Sequence, residues 1–600
     1  MNYKILIWLL VLFSLSGLAL AQEKYSIKLL AVQEDGNGKF LGSDADLYLE
    51  LKPGSGRVFL ETTPLTKLDT QLSTRFAKEI ACDHFKLDCG NYDFFYTINA
   101  DSSIIGGPSA GAAISALTTI AVLDLPYHEE VTLTGTINSG GIIGPVGGVK
   151  EKIDAAAEAG LKKVLIPKGT SPELIEPGSN SSVFNGFNNL FDYGKKVDNI
   201  EVVEVINLDE VIFHLTGLKI NNQEIIVSEN NRYTEIMGEL QQRLCERTEK
   251  IESELRDEEV SLSAEIINEI NERKEKVAKS SAQGNYYSAA SFCFGNNIQL
   301  KTNYYKEKKA SFAAVYSLFN NLDKKNNALE EEIGKERINT ISDLQTLLIV
   351  KERINDVKQN IKEFQQNQEI TADEMYSLLA YAEERHYSAV SWTEFFKMEG
   401  KEVDLDEERL RNSCIQKISE SREREQYANL FLGNFYVEGI NKKIALAEEA
   451  KLAEDYGLCL MTAAQAKADS NAILSTIGLQ NETITDYLDS KRKAVERVIS
   501  ENSAEGIFPI FGYSYYQYAN SLEEQDKITA LVYMEYALEM SALDIYFPEE
   551  EKNARNIAKL NESFLDKVKF GLAGFAIGAA LTGLIVFGPK LFRKEKKKKR

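Results

Sequence analysis

The stretch that decides the fold is glycine-rich: it reads GGPSAGAA at residues 106–113 and is followed by PVGGVKEK at residues 145–152. Proline fixes the backbone directly before Ser109, and the surrounding glycines let another backbone approach closely. The small residues after Ser109 suit the tightly packed first turn of a helix. Ser109 is therefore expected at a helix N-terminus, where outward-pointing N–H groups favour a developing negative charge. From the octapeptide alone, a plain glycine-rich turn and cap is an equally good interpretation.

A serine nucleophile needs a base to take its proton. None of the four histidines lies in a suggestive local pattern. A lysine can replace histidine where burial lowers its pKa toward neutrality. The candidate is Lys150, which is expected to open a helix after the apolar, glycine-rich segment 140–146. The alternative is an exposed lysine on an amphipathic helix.

Four motifs follow one another in this part of the chain. They are GPSAGA at 107–112, LTG at 133–135, PVGGVKEK at 145–152 and AGLKKVLIP at 159–167. Together they resemble the proteolytic domain of the Lon protease family. A weaker resemblance extends over residues 47–215, which is under a third of the chain. The spacing between Ser109 and Lys150 (150 − 109 = 41) is also similar to that of the family.

The resemblance implies a serine endopeptidase that hydrolyses peptide bonds through an acyl-enzyme. It makes Ser109 the nucleophile and Lys150 the general base of a Ser-Lys dyad, and it gives Thr134 the role of positioning the lysine amine. The oxyanion donors it implies are the backbone N–H groups of Ser109 and of Gly106 or Gly107. No cofactor and no metal are expected. The family commonly has Asp or Glu where this chain has Gly106, which leaves the resting state of the site open.

No G-x-x-x-x-G-K-[ST] phosphate-binding loop occurs in the 600 residues, so no ATPase module is expected in the chain. Without such a loop, the chain resembles the membrane-anchored, ATPase-free Lon-like serine proteases of archaea. We expect unfolded or flexible proteins and peptides as substrates. Because Lon domains form rings, the resemblance also implies a homo-oligomeric ring. The net charge of −22 argues against nucleic acid as a partner.

Proline content divides the chain, because proline breaks helix interiors. Eight of the 11 prolines lie before residue 178, and none lies in residues 178–508. Residues 22–220 alternate strand-like and helix-like patterns, which indicates an α+β domain. Within it, residues 46–51 and 57–60 are predicted to form a hairpin.

Residues 225–565 have apolar positions at helical spacing and predict an all-α domain of helical hairpins or coiled coils. Two long helices are predicted there, over 233–281 and 327–365. The role of this domain is open from the sequence: it could recruit or gate substrates, act as a stalk, or form an assembly surface.

The two ends of the chain predict export and anchoring. Residues 1–21 read as a signal peptide, and residues 570–588 as an apolar transmembrane helix followed by a basic tail at 589–600. The fold class expected is therefore an α+β Lon-type proteolytic domain, a long helical domain and one C-terminal transmembrane helix. The protein is expected in the cell membrane as a single-pass protein, with its ectodomain outside and its C-terminus cytoplasmic.

Six cysteines fit an oxidising compartment, and proximity suggests three local pairs. The pairs are Cys82 with Cys89, Cys245 with Cys293, and Cys414 with Cys459; free buried thiols are the alternative. Two alternatives to the surface endopeptidase also stay open. One is a non-catalytic surface scaffold or binding protein that uses a Lon-type fold, and the other is a self-processing protease.

Overall fold

The computed structural model describes most of residues 24–541. Its gaps fall at 35–39, 101–106, 171–188, 196–198, 221–224, 226, 368, 403–406, 433–436, 477–478, 480 and 482. The predicted signal peptide (1–21), transmembrane helix (570–588) and basic tail (589–600) lie outside the described residues. The described residues belong to one compact unit.

The described part of the chain begins with a four-stranded sheet. Its strands are β1 (Lys24–Glu34), β2 (Phe40–Pro53), β3 (Val58–Thr63) and β4 (Tyr92–Ala100), in the order β1-β2-β4-β3. The hairpin predicted from 46–51 and 57–60 is wrong, because β4 lies between β2 and β3 and runs parallel to β3. Asp93 of β4 holds the connection by accepting hydrogen bonds from the backbone N–H groups of Ser55 (2.9 Å) and Arg57 (3.1 Å).

A second group of strands follows. These are β5 (Val131–Leu133), β6 (Thr136–Asn138), β7 (Ile142–Gly144), β8 (Lys163–Pro167) and β9 (Glu201–Val205). Strands β5, β8 and β9 form a parallel sheet, and β6 and β7 form an antiparallel hairpin whose tip is residues 139–141. This hairpin, residues 136–144, is called the β6–β7 hairpin below.

Five helices accompany these strands in the residues that the structure describes. They are α1 (Leu68–His84), α2 (Gly111–Leu123), α3 (Val149–Glu158), α4 (Leu190–Tyr193) and α5 (Leu208–Thr216). Helix α2 is buried on every side from Gly111 to Ala121, as its almost entirely apolar and small residues dictate. The α+β prediction for this N-terminal region is consistent with these elements.

The rest of the described chain is helical. Its helices are α6 (Asn231–Asp257), α7 (Ala264–Ala282), α8 (Tyr286–Glu307), α9 (Phe312–Ile333), α10 (Ile341–Gln366), α11 (Ala372–Trp392), α12 (Glu407–Leu432), α13 (Glu438–Leu452), α14 (Tyr456–Thr476), α15 (Ile484–Ala504), α16 (Ile510–Leu522) and α17 (Lys527–Ser541). Each long helix predicted over 233–281 and 327–365 is in fact two. Ser263 caps α7 by accepting from the backbone N–H of Ile266, and a capping box of Thr340 with Asp343 starts α10.

The helical region shares a hydrophobic core with the N-terminal region. Phe76 of α1 contacts the ring of Tyr427 of α12 with ring centroids 6.2 Å apart, and the Arg424 guanidinium lies 3.3 Å from the centre of the Phe76 ring. Arg424 and Lys467 both pair with Glu79 of α1, at 2.6 and 3.1 Å. The helical region is therefore packed against the N-terminal region along part of its length.

All three cysteine pairs suggested by proximity are confirmed. Disulfides join Cys82 to Cys89, Cys245 to Cys293, and Cys414 to Cys459. One closes the end of α1 and two link neighbouring helices.

The transmembrane part of the predicted fold class needs correction. Within residues 24–541, leaving aside the gaps, no helix is both long enough and apolar enough to cross a membrane. The fold class supported is a Lon-like domain followed by many helices, and the described residues give no support to the predicted span at 570–588. The single-pass location in the cell membrane, with an outer ectodomain and a cytoplasmic C-terminus, is withdrawn with it.

Because the core is continuous, damage on one side of it should unfold both regions. We expect Phe76→Ala, at a side chain that is 2% exposed, to lower the free energy of unfolding by about 3–5 kcal/mol. The loss should appear in a single transition followed by both tryptophan fluorescence and circular dichroism. Phe59→Ala is the control, since Phe59 is 40% exposed on the edge strand β3, and it should cost about 1 kcal/mol. Two separate transitions in Phe76→Ala would contradict a common core.

Candidate active site

Ser109 lies where the sequence predicts, in a short 3-10 turn (Pro108–Ala110) that leads directly into α2. Gly107 precedes the turn with φ at +102°, a left-handed conformation that favours glycine. Ser109 itself is half-buried. The side chain that the sequence marks as a nucleophile is thus held at the start of a fully buried helix.

Backbone hydrogen bonds tie this turn to Thr134. The N–H of Gly135 donates to the carbonyl oxygen of Ser109 at 3.0 Å, and the N–H of Ala112 donates to the carbonyl oxygen of Gly135 at 3.1 Å. Thr134 follows β5 and its N–H donates to the carbonyl oxygen of Leu165 of β8 at 3.0 Å. The serine and the threonine are therefore fixed to one another through a single intervening residue.

The lysine beside Thr134 is Lys152. Its Nζ donates to Thr134 Oγ1 at 3.1 Å, and the residue is only 4% exposed. Burial lowers the pKa of Lys152 to about 8, because an ammonium loses its hydration in the interior. The buried lysines of the helical region are different, since Lys417 and Lys491 each pair with a carboxylate. Lys152 is thus a buried lysine whose hydrogen-bond partner is a neutral hydroxyl rather than a carboxylate.

Lys150 has different surroundings. Its Nζ lies 2.9 Å from Asp154 Oδ2 and 4.7 Å from the centre of the Tyr193 ring. Partial burial works to lower the pKa of Lys150, but the bonds to Asp154 and Tyr193 outweigh it and the pKa is raised. A lysine held as an ammonium cannot accept a proton from serine. The geometry does not support the predicted role of Lys150 as general base.

The helical period of α3 explains the difference. Its buried positions include Val149, Lys152, Ile153 and Ala156, which lie on one face at i, i+3, i+4 and i+7, whereas Lys150 lies beside this face. This spacing is visible in the sequence and could have identified Lys152, because both lysines belong to the same motif. The separation from the serine is then 152 − 109 = 43 residues.

The remaining parts of the predicted site are the oxyanion donors and the link between Ser109 and the lysine. Of the predicted oxyanion donors, Ser109 and Gly107 lie at the turn, and Gly106 lies outside the described residues. Within the described part of the chain, no hydrogen bond joins the side chains of Ser109 and Lys152. They are linked instead through Thr134 and Gly135. The oxyanion role of the turn stays a prediction.

Residues 98–182 match the Lon protease (S16) C-terminal proteolytic domain. The matched stretch contains Ser109, Thr134 and Lys152. The resemblance of this region to the Lon proteolytic domain is therefore confirmed.

Individual relatives agree with this match. The Lon protease of Rickettsia conorii is 33% identical over 142 residues, which are 23% of this chain and 16% of the relative. The archaeal Lon protease of Methanocaldococcus jannaschii is 29% identical over 126 residues, or 21% of this chain and 16% of the relative. The chain thus covers only a minor part of the length of these relatives. The match supports serine-type protease activity in general terms.

The cost of burying Lys152 can be tested without any substrate. We expect Lys152→Met to raise the free energy of unfolding at pH 7 by on the order of 3 kcal/mol, because a pKa lowered from 10.5 to about 8 opposes folding by that amount. The gain should be complete below pH 8 and shrink as the pH rises toward 10.5, where the lysine is neutral in both folded and unfolded chains. Chemical denaturation at several pH values measures it. Lys150→Met, the control, should lose rather than gain stability, by about 1 kcal/mol or less.

Proposed function

We propose that the chain is a serine endopeptidase with Ser109 as nucleophile and Lys152 as general base, acting on unfolded or flexible proteins and peptides without ATP. The observation that carries this proposal is the buried amine of Lys152, bonded to the neutral hydroxyl of Thr134 beside the Ser109 turn. The similarity of this segment to the Lon proteolytic domain supports the same chemistry.

The reaction follows from the groups present. Ser109 Oγ attacks the peptide carbonyl carbon while Lys152 Nζ takes the hydroxyl proton. The tetrahedral intermediate collapses, the C–N bond breaks, and the leaving amine takes that proton from Lys152. Water then attacks the Ser109 ester and gives a proton to Lys152, and the departing serine oxygen recovers it. The N–H groups of Ser109 and Gly107 are the proposed donors to the oxyanion.

Because the pKa of Lys152 is lowered, its amine can take up and release the serine proton near neutral pH. With a pKa of about 8, Lys152 is neutral in roughly one molecule in ten at pH 7, whereas an ordinary lysine is almost entirely charged. We assign Thr134 a positioning role, because its hydroxyl accepts from the amine and directs it toward the turn. Thr134 is 1% exposed, so this contact is shielded from water.

The substrate and assembly parts of the proposal rest on the family match and on the sequence. Protein or peptide substrates and self-association are what the match supports. Independence from ATP is proposed because the 600 residues contain no phosphate-binding loop of the Walker type. Without an unfoldase, substrates must arrive unfolded or flexible. A homo-oligomeric ring is the form of self-association that we propose.

Substituting the two lysines separately tests which of them is the general base of the dyad. The full chain is incubated with casein or a fluorogenic peptide without nucleotide. Ser109→Ala and Lys152→Met should each lower kcat by roughly 10³-fold or more, since dyad members act as a unit. Lys150→Met is the matched control, two residues away on the same helix, and should keep kcat within about threefold. Activity that survives in Lys152→Met but not in Lys150→Met would reverse the assignment. Absence of turnover by the unsubstituted chain would favour the scaffold alternative.

The pH profile gives an independent check. Because the base must be neutral in the free enzyme, kcat/KM should rise about tenfold per pH unit below pH 8 and level off above it. The measurement is initial rates between pH 5 and pH 10. A profile that is flat down to pH 6 would show that a group other than Lys152 takes the proton.

A further inference from the structure

The β6–β7 hairpin is the element that connects the proposed site to the helical region. Its first strand begins two residues after Thr134, and Gly135 between them makes one backbone hydrogen bond with the Ser109 turn and one with the start of α2. Ile137 packs so closely on α2 that a Cβ at Gly111 would lie 3.1 Å from its Cγ2. A shift of this hairpin would therefore displace both the Ser109 turn and the hydroxyl that holds Lys152.

The tip of the hairpin is held by a buried ion pair from the helical region. Lys491 of α15 pairs with Glu535 of α17, and their side chains are 1% and 0% exposed. Lys491 Nζ donates to the carbonyl oxygen of Ser139 and, at 3.1 Å, to its hydroxyl; that hydroxyl in turn donates to Glu535. Ser475 of α14 donates to the same carboxylate at 2.6 Å. Two helices thus bond to Ser139 directly, and a third bonds to the carboxylate that accepts from it.

Further contacts fix the rest of the hairpin. Tyr487 of α15 donates its hydroxyl to the carbonyl oxygen of Ile143 at 2.9 Å. At the tip, a Cβ on Gly140 would lie 2.9 Å from Ala494 of α15 and 3.3 Å from Leu538 of α17. Glycine at this position lets the helices close on the tip. The contact is close, buried and polar at its centre.

The contribution of this buried ion pair to the stability of the fold does not by itself explain its presence. A buried ion pair often contributes no more than apolar residues of the same size, but its hydrogen bonds define one geometry. We infer that Lys491 and Glu535 are positioning residues for the proposed protease, which hold the β6–β7 hairpin and through it align Ser109 and Thr134 with Lys152. This inference rests on the proposed function. It gives the helical region a part in building the active site.

The test removes the pair without leaving an unpaired charge. The double variant Lys491→Met, Glu535→Gln is compared with the double variant Arg247→Met, Glu384→Gln. The control removes another ion pair of the helical region, between α6 and α11, in which Glu384 is equally buried. Thermal unfolding of both variants sets a common temperature at which each is fully folded. Hydrogen exchange of the peptide over 134–144 and peptidase kinetics are then measured on full-length chains.

We expect faster exchange over 134–144 and a kcat lower by roughly 10- to 100-fold in the first variant, with KM changed less than about twofold. The control should show neither change. Unchanged exchange in the first variant overturns the inference, and so does faster exchange with an unchanged kcat. An equal loss of kcat in the control also overturns it, because the effect would then be general destabilisation.

If the unsubstituted chain hydrolyses nothing, the proposed function fails. Exchange over 134–144 then alone shows whether the pair holds the hairpin.

Discussion

Burying a lysine that has no carboxylate partner costs free energy, because its ammonium loses hydration and gains no interaction with an opposite charge. Lys152 is such a lysine, with the hydroxyl of Thr134 as its hydrogen-bond partner. The arrangement is maintained by packing around it. Helix α3 places Lys152 on its buried face, the parallel strands fix Thr134, and the buried helix α2 fixes the turn with Ser109. Packing in the rest of the fold thus offsets the free-energy cost of burying this one amine.

Local sequence signals predict the parts of this arrangement that depend on neighbouring residues. Pro108 and the glycines around it predict the turn of Ser109, and cysteine proximity predicts all three disulfides. The choice between Lys150 and Lys152 needs one more step, because only the phase of the helix tells which lysine is buried. That phase can be read from Val149, Ile153 and Ala156 once the helix is given its correct start.

Other features depend on contacts between distant residues, and the sequence does not reveal them. Strand β4 inserts between β2 and β3 although 28 residues separate the end of β3 from its start (63 and 92). The approach of Lys491 and Glu535 to Ser139 spans more than half of the chain. Pairing at such separation follows from the packing of whole elements, which no local pattern encodes.

The order of the hairpin and its partners along the chain has a consequence for biosynthesis. Proteins are made from the N-terminus, so Ser109, Thr134 and Lys152 leave the ribosome long before Glu535 does. Until α17 has emerged, the hydroxyl of Ser139 lacks its carboxylate acceptor, Glu535. The segment similar to a Lon proteolytic domain therefore reaches the geometry described here only when synthesis of the helical region is nearly complete. A nascent chain of this design carries the proposed hydrolytic groups in an unassembled state while its own unfolded segments are most exposed.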